Sequence, residues 1–168
     1  MAQPGLKYCP ECGTKLIMKA LEGEGIVPYC EHCGDYRFPF FNTAVSMIVM
    51  NRTKDKILLI KQYGRDHYIL VAGYINKGEN AETAVCREVM EELGLKVESL
   101  RFNRTEYYAP SNTLMENFTV IVDSEAAEPN REIDSWAWFS IEEARENIFA
   151  DSLAQRFLYG YLDDPETT

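Results

Sequence analysis

The sequence predicts an α+β protein: a domain of strands and helices, preceded by a small four-cysteine module. Three observations lead there. Cys9, Cys12, Cys30 and Cys33 form two CxxC pairs near the start. The rest alternates short, branched apolar runs with a few stretches of helical spacing. One of these, Gly73 to Leu95, joins a glycine-marked loop to a helix loaded with carboxylates.

Composition sets the bounds. At 168 residues the chain accommodates one ordinary domain and a small module. An apolar content of 46% supports a true core. A net charge of −10 lacks the basic stripe of a general nucleic-acid binder, so nucleic acid is not an expected partner. Bound divalent ions would offset part of that charge. No apolar run spans a bilayer, and the opening MAQPGLKY has no signal-peptide core, so a membrane is excluded as a partner. Four of five cysteines in tight pairs indicate metal ligation in a reducing compartment, and hence a cytoplasmic protein.

The first module is assigned to residues 1–38 and the larger domain to 39–168. Seventeen residues separate Cys12 from Cys30, the spacing of a zinc ribbon in which Cys9, Cys12, Cys30 and Cys33 close the coordination sphere of a structural Zn²⁺. A redox pair is the alternative, and two pairs at this spacing disfavour it. Gly13 and Gly34 suit tight knuckles with backbone N–H groups turned to sulfur, and Gly23 and Gly25 suit the turn of a hairpin between the pairs. A stretch this small takes its folding energy from the metal. His32 is a conceivable replacement ligand. Cys86 reads as a small packing residue. The aromatic segment Tyr36 to Phe41 reads as packed rather than as a free linker.

Strands are predicted over Thr43–Met50 and Lys56–Gln62, joined by the turn Asn51–Asp55, and over Tyr68–Ala72. A helix follows, with Asn80 as N-cap and Gly94 as its left-handed stop. Its Ala81, Ala84, Val85, Val89 and Leu93 recur at helical spacing and face the sheet, with the acids on another side and Glu82 in solvent. Lys96–Tyr108 and Leu114–Asp123 read as strands with a turn at Pro110 and Asn112. Ser124–Arg131 is a polar loop and Trp136–Phe139 a strand. Ser140 with Glu143 forms a capping box, and a last helix runs from Asp151 to Leu162 with Leu153, Phe157, Leu158 and Tyr161 on one side. The tail Asp163–Thr168 reads as loose.

Glu88, Glu91 and Glu92 lie three and four residues apart, so they stack on one helix face and repel unless a cation joins them. Carboxylates are hard oxygen ligands suited to Mg²⁺ or Mn²⁺. A loop leading into a helix N-terminus attracts phosphate. Together these point to metal-assisted attack on a phosphate ester or anhydride. An exposed helix with solvated acids is the plain alternative.

The full spacing decides between them. Gly73, Glu79 and Arg87-Glu88-Val89-Met90-Glu91-Glu92-Leu93-Gly94-Leu95 match every fixed position of the Nudix hydrolase signature, Gx5Ex7REUxEExGU with U a bulky aliphatic. The chain thus resembles the Nudix family, which implies an α/β/α sandwich with a mixed sheet over about three quarters of its length. The ribbon, the entry Leu70-Val71-Ala72-Gly73-Tyr74 and the pair Leu114-Met115 resemble the NAD(H) pyrophosphatase branch. Where that branch carries Ser-Gln-Pro-Trp-Pro-Phe-Pro, this chain reads Thr105 to Ser111, TEYYAPS, which leaves the substrate open. Members of the branch also carry a further domain before the ribbon.

The resemblance implies roles. Glu88 and Glu92 become metal ligands, Glu91 a further ligand or the base, and the Ala72 carbonyl completes the shell. Arg87 orients Glu88 or pairs with Glu79, which is then structural. Arg131-Glu132-Ile133 resembles a stretch of the branch that supplies another metal-binding glutamate, so Glu132 joins the set, against the alternative of a loop acid. Glu106 and Glu116 are further candidates for base or ligand. Tyr107, Tyr108 and Phe41 are candidates to stack a base, against core packing.

The expected activity is Mg²⁺- or Mn²⁺-dependent cleavage of the pyrophosphate in a small nucleotide, a nucleoside diphosphate linked to another moiety, NAD(H)-like or ADP-ribose-like. Nucleoside triphosphates, nucleotide sugars and capped RNA are the alternatives within the family. A nucleotide sensor without catalysis is the alternative outside it, and the intact glutamate triad weighs against that. A homodimer is a further expectation.

Overall fold

The computed structural model describes residues 6–164, so most of the tail read as loose lies outside the described residues. Two compact units meet in sequence between Phe41 and Asn42. The sequence reading placed that junction after Phe38.

The first unit is a three-stranded antiparallel sheet of β1 (Ile17–Leu21), β2 (Gly25–Cys30) and β3 (Asp35–Tyr36), in the order β1-β2-β3. Leu21 pairs with Gly25 at the hairpin end, where Gly23 and Gly25 both take positive φ, 83° and 84°. Only Cys9, Val27, Cys30 and Arg37 are buried among its described residues, too little apolar surface to drive folding. Phe38, Phe40 and Phe41 are each exposed, which corrects the expectation of a packed segment.

The second unit contains β4 (Asn42–Met50), β5 (Lys56–Gln62), β6 (Val71–Tyr74), α1 (Ala81–Leu93), β7 (Val97–Tyr108), β8 (Thr113–Val122), β9 (Ile133–Ser140), α2 (Ile141–Asn147) and α3 (Leu153–Leu162). Its mixed sheet has the order β7-β8-β4-β5-β9, with β6 paired to β4. β4 is the axis. One edge pairs in parallel with β8 from Asn42↔Thr113 to Met50↔Ile121. Its other edge is shared: Ala44 to Met47 pair with β6, and Val49 and Met50 pair with β5. The division lets β6 lead away from the sheet into the loop before α1.

Both faces of the sheet are covered, which is why β4 and β5 read as continuous apolar runs rather than as alternation. Val45, Met47, Val49, Leu58 and Ile60 pack with Ala84, Val85, Val89 and Leu93 of α1. Ile48, Met50, Ile57 and Leu59 pack with Ala144, Phe157 and Leu158 of α2 and α3. This is the α/β/α sandwich. Leu153 and Tyr161 join the second layer, as their spacing predicts.

The helix limits follow the caps. α1 ends at Gly94, whose φ of 67° is left-handed and whose N–H bonds the Met90 carbonyl at 3.0 Å. Asn80 occupies the N-cap position, but its side chain accepts no capping bond. Ser140 and Glu143 form the complete capping box. The strand expected at Tyr68–Ala72 lies later, at Val71–Tyr74, because register with β4 fixes it there. Tyr68 and Ile69 make only isolated bridges. Cys86 is exposed on α1 rather than packed: Val85 and Val89 occupy the buried stripe and leave it outside.

Candidate active site

A cleft of about 480 Å³ opens beside the C-terminal half of α1. β6 brings Ala72, Gly73 and Tyr74 to it, and α1 brings Glu88, Glu91 and Glu92. The start of β8 supplies Thr113 and Met115, and the loop before β9 supplies Asn130 and Glu132. Four glutamates line it and no lysine or arginine does. An anionic substrate therefore needs a cation in the cleft.

The loop into α1 is built around one ion pair. Arg87 donates to both Glu79 oxygens, Nε to Oε1 at 2.8 Å and Nη2 to Oε2 at 2.9 Å. Glu79 also accepts the Asn76 N–H at 3.0 Å, which closes the loop. The guanidinium first and that backbone donor second hold the Glu79 carboxyl down to about 2. Arg87 further donates to Glu88 at 2.6 Å, to Glu91 at 3.0 Å and to the Tyr74 carbonyl at 3.0 Å. It thus pairs with Glu79 and also contacts Glu88.

Gly73 has no room for a side chain. A Cβ there would lie 2.0 Å from the Glu88 carboxyl carbon, so the missing Cβ is what lets that carboxylate sit against the strand. Glu92 is the unusual member. It is 5% exposed, and its Oε2 is buried without a hydrogen-bond partner. Burial first, then Glu88, Glu132 and Glu91, push its carboxyl up to about 8. The acids are therefore not all on an outer side of the helix, as expected from spacing: Glu92 lies at the margin of the core while Glu91 is exposed.

Glu132 reaches the cluster through the ends of α1. The last carbonyls of a helix lack intrahelical partners. Here the Glu128 N–H takes the Leu93 carbonyl at 2.8 Å and the Asn130 N–H takes the Glu92 carbonyl at 3.0 Å. This docks the loop on the helix, and Asn130 Oδ1 accepts the Glu132 N–H at 2.9 Å. A residue read as a possible loop acid is thereby brought to the same cleft as Glu92.

An orphaned carboxylate oxygen among hard oxygen donors fits Mg²⁺ or Mn²⁺. The donors that fit are Glu88, Glu91, Glu92, Glu132 and the backbone of Ala72. The carboxylates do not converge as closely as the ribbon thiols, because Arg87 bridges Glu88 and Glu91.

Other candidates lie elsewhere. Glu106 is taken by Arg156 and Arg104, with contacts of 2.8 and 2.9 Å, and does not line the cleft. Glu116 sits mid-strand in β8 opposite Val45, also outside the lining. Tyr107 and Tyr108 lie at the end of β7, neither in the core nor in the cleft, and Phe41 is exposed in the ribbon unit. The aromatic side chains that do line the cleft are Tyr63 and Tyr74. Sequence reasoning used Tyr74 only as a family marker and missed Tyr63, Asn130 and Thr113. The adjacent Tyr63-Gly64 pair was the available signal, a turn with an aromatic at its tip.

In the ribbon, the four Sγ atoms lie within 4.8 Å of one another, the one such set among the described residues. Cys9 and Cys33 are 3.9 Å apart and Cys12 and Cys30 are 3.5 Å apart. A tetrahedron with Zn–S of about 2.3 Å has edges of about 3.8 Å, so the set fits zinc. His32 is exposed and outside it. The knuckle glycines turn their N–H groups to the Cys9 and Cys30 carbonyls, at 2.8 and 2.9 Å, rather than to sulfur, while the Cys33 N–H faces Cys30 Sγ at 3.4 Å. Arg37 is buried and donates Nε–H to Cys9 Sγ at 3.3 Å, a positive charge where thiolates gather. Burial raises the Cys9 thiol, but the Arg37 bond and backbone donors outweigh it and bring it to about 6.

The NUDIX domain model matches residues 41–158, and the chain belongs to the Nudix family. Among curated proteins, it is similar to the NAD-capped RNA hydrolase NudC of Pseudomonas aeruginosa, 30% identical over 159 residues. That alignment covers 93% of this chain and 55% of the relative. The NudC of Escherichia coli O1:K1 / APEC is 34% identical over 120 residues, 70% of this chain and 45% of the relative. The chain spans about half the length of these relatives. A NUDIX hydrolase from Nitrosomonas europaea superimposes with a TM-score of 0.72 at 21% identity, covering 96% of this chain and 93% of that one, which shows the shared fold. The NUDIX domain of Shewanella oneidensis NrtR, in complex with ADP ribose, gives 0.63 at 14% identity over 80% of this chain and 92% of that one. Among the described residues no helix is long and apolar enough to cross a membrane.

Proposed function

We propose that this chain is a Mg²⁺- or Mn²⁺-dependent pyrophosphohydrolase of nucleoside diphosphate derivatives, NAD(H)-like or ADP-ribose-like. The observation that carries the reading is the buried, unpartnered Glu92 carboxylate beside Glu88, Glu91 and Glu132 in an open cleft. Such a group is costly unless a cation meets it. The likeness to NudC supports an NAD-type pyrophosphate bond as the target.

In this reading Glu88, Glu92 and Glu132, with the Ala72 carbonyl, hold the cation, and Glu91 is a further ligand or the base. When bound, the ion would supply charge neutralisation at the pyrophosphate and lower the pKa of a coordinated water. Arg87 keeps Glu88 against Gly73 and ties the helix to the Glu79 loop, so the carboxylates are set before substrate arrives. Thr113, Met115, Tyr63 and Tyr74 line the remainder of the cleft, where the nucleotide moieties would lie. The four cysteines hold a structural Zn²⁺, and Arg37 offsets its thiolate charge.

The relatives' name favours one second reading, an NAD-capped RNA as the substrate. The acidic cleft and the net charge of −10 disfavour a long polyanion. Incubation of the chain with Mg²⁺ and a panel of NADH, ADP-ribose, nucleotide sugars, nucleoside triphosphates and NAD-capped RNA separates these. The proposal expects two mononucleotides from NADH, or AMP and ribose 5-phosphate from ADP-ribose. Turnover confined to triphosphates, or to capped RNA, would replace it, and tight binding without product would make the chain a sensor. A homodimer and a cytoplasmic location are part of the proposal, tested by sedimentation and by fractionation.

A further inference from the structure

We propose that Tyr63 is a positioning residue for Glu132: its hydroxyl holds that carboxylate ready to receive the divalent cation. The inference rests on the metal-dependent reading of the cleft. Its basis is an unusual turn. Tyr63 and Gly64 both have positive φ, 56° and 68°, and the Arg65 N–H bonds the Gln62 carbonyl at 3.1 Å. Two successive residues with positive φ make a type I′ turn, which favours Asn or Gly at its first central position. A bulky aromatic there is rare and strained.

Nothing in the packing accounts for the choice, since the Tyr63 side chain is largely exposed and belongs to neither apolar layer. The turn is nevertheless pinned. Gly64 donates its N–H to Asp134 Oδ2 at 2.7 Å, and a bulge at Lys61/Gln62 bends β5 where it runs beside β9. Asp134 is on the same strand as Glu132 is about to enter. The result is that the Tyr63 hydroxyl donates to Glu132 Oε2 at 3.3 Å, at the wall of the cleft.

Glu132 needs such a hold. Glu88, Glu91 and Glu92 face it with like charge, and Arg87 is spent on Glu79, Glu88 and Glu91. Glu132 has its N–H on Asn130 and its carboxylate on Tyr63. A hydroxyl donor fixes one oxygen and leaves the other free to face the cation.

The test titrates Mn²⁺ into the zinc-loaded chain and follows free Mn²⁺ by electron paramagnetic resonance. Four variants are compared with the parent: Y63F, Y63N, E132Q and the Y63F/E132Q pair. Y63F should weaken Mn²⁺ binding about three- to tenfold, the scale of one ordinary hydrogen bond, as suits a 3.3 Å contact at an exposed position. In the E132Q background Y63F should add less than twofold, because the hydroxyl acts through Glu132. Y63N suits the turn, so its melting temperature should rise while Mn²⁺ binding falls as in Y63F, which separates positioning from folding. Y63F binding within twofold of the parent, or an undiminished effect in E132Q, overturns the proposal. If the parent cleaves pyrophosphates but Y63F binds Mn²⁺ normally, this inference fails alone. If the parent binds Mn²⁺ but cleaves nothing, the proposed function fails alone. A parent chain that binds no Mn²⁺ overturns both.

Discussion

Replacing Glu92 with Gln exchanges a buried, unpartnered carboxylate for a neutral amide of the same shape. In the unfolded chain this carboxyl titrates near 4.5; in the metal-free fold it is pushed up to about 8, by burial and then by Glu88, Glu132 and Glu91. Between those values the folded form keeps a proton that the unfolded form has lost. Stability of the metal-free chain therefore falls as pH rises from about 4.5 to about 8. At about 1.4 kcal/mol per pH unit the ceiling is roughly 5 kcal/mol. The cleft is open to water, which reduces this to about 2 kcal/mol. E92Q lacks the penalty. With zinc retained and no other metal added, E92Q and the parent should melt together at pH 5. At pH 9 E92Q should melt about 4–8 °C higher. Mg²⁺ should then raise the melting temperature of the parent and leave E92Q unmoved. An E92Q chain less stable than the parent at pH 9, or one equally stabilised by Mg²⁺, would refute the reasoning.

Other perturbations report on neighbouring parts. Gly73→Ala places a Cβ 2.0 Å from the Glu88 carboxyl carbon, so hydrolysis should fall at least about 100-fold while circular dichroism stays native. Gly94→Ala forces a left-handed residue to carry a side chain 3.3 Å from the Glu128 carbonyl oxygen; it should cost about 1–2 kcal/mol in urea unfolding and lower activity through the loop that carries Glu132. The Glu79 carboxyl is held down to about 2, so its ion pair with Arg87 adds stability above about 4.5 that is lost as pH falls towards 2; Glu79→Gln should flatten that part of an acid titration followed by circular dichroism. Elemental analysis should find one zinc per chain, and Cys30→Ser should abolish it and unfold the ribbon.

Local chemistry was legible in the sequence wherever it was specified within a few residues. Gly94 stops α1, and Ser140 and Glu143 cap α2, because each signal lies within a turn of its effect. The two CxxC pairs, seventeen residues apart, were legible through their spacing. The glutamate box was legible through its full spacing. What the sequence did not reveal depends on long-range register. The strand before α1 shifted to Val71–Tyr74 because pairing with β4 decides its limits. Cys86 reads as a packing residue, yet its position around the helix axis leaves it outside. The separate treatment of Glu92 from Glu91 follows from how deeply the helix is seated on the sheet, which spacing alone does not give. Tyr63 comes to Glu132 only through the β5–β9 pairing, and Glu106 is lost to Arg156 from a distant helix.

The central claim is that the glutamate cleft uses a divalent cation to split a dinucleotide pyrophosphate. ³¹P NMR of NADH with the parent chain and with E92Q, each with and without Mg²⁺, tests it most directly. The account predicts conversion of the pyrophosphate resonances into two phosphomonoester resonances with the parent chain and Mg²⁺ only, with E92Q slower by at least about 100-fold. Equal cleavage by E92Q, or cleavage by the parent chain that does not depend on added Mg²⁺, would contradict it.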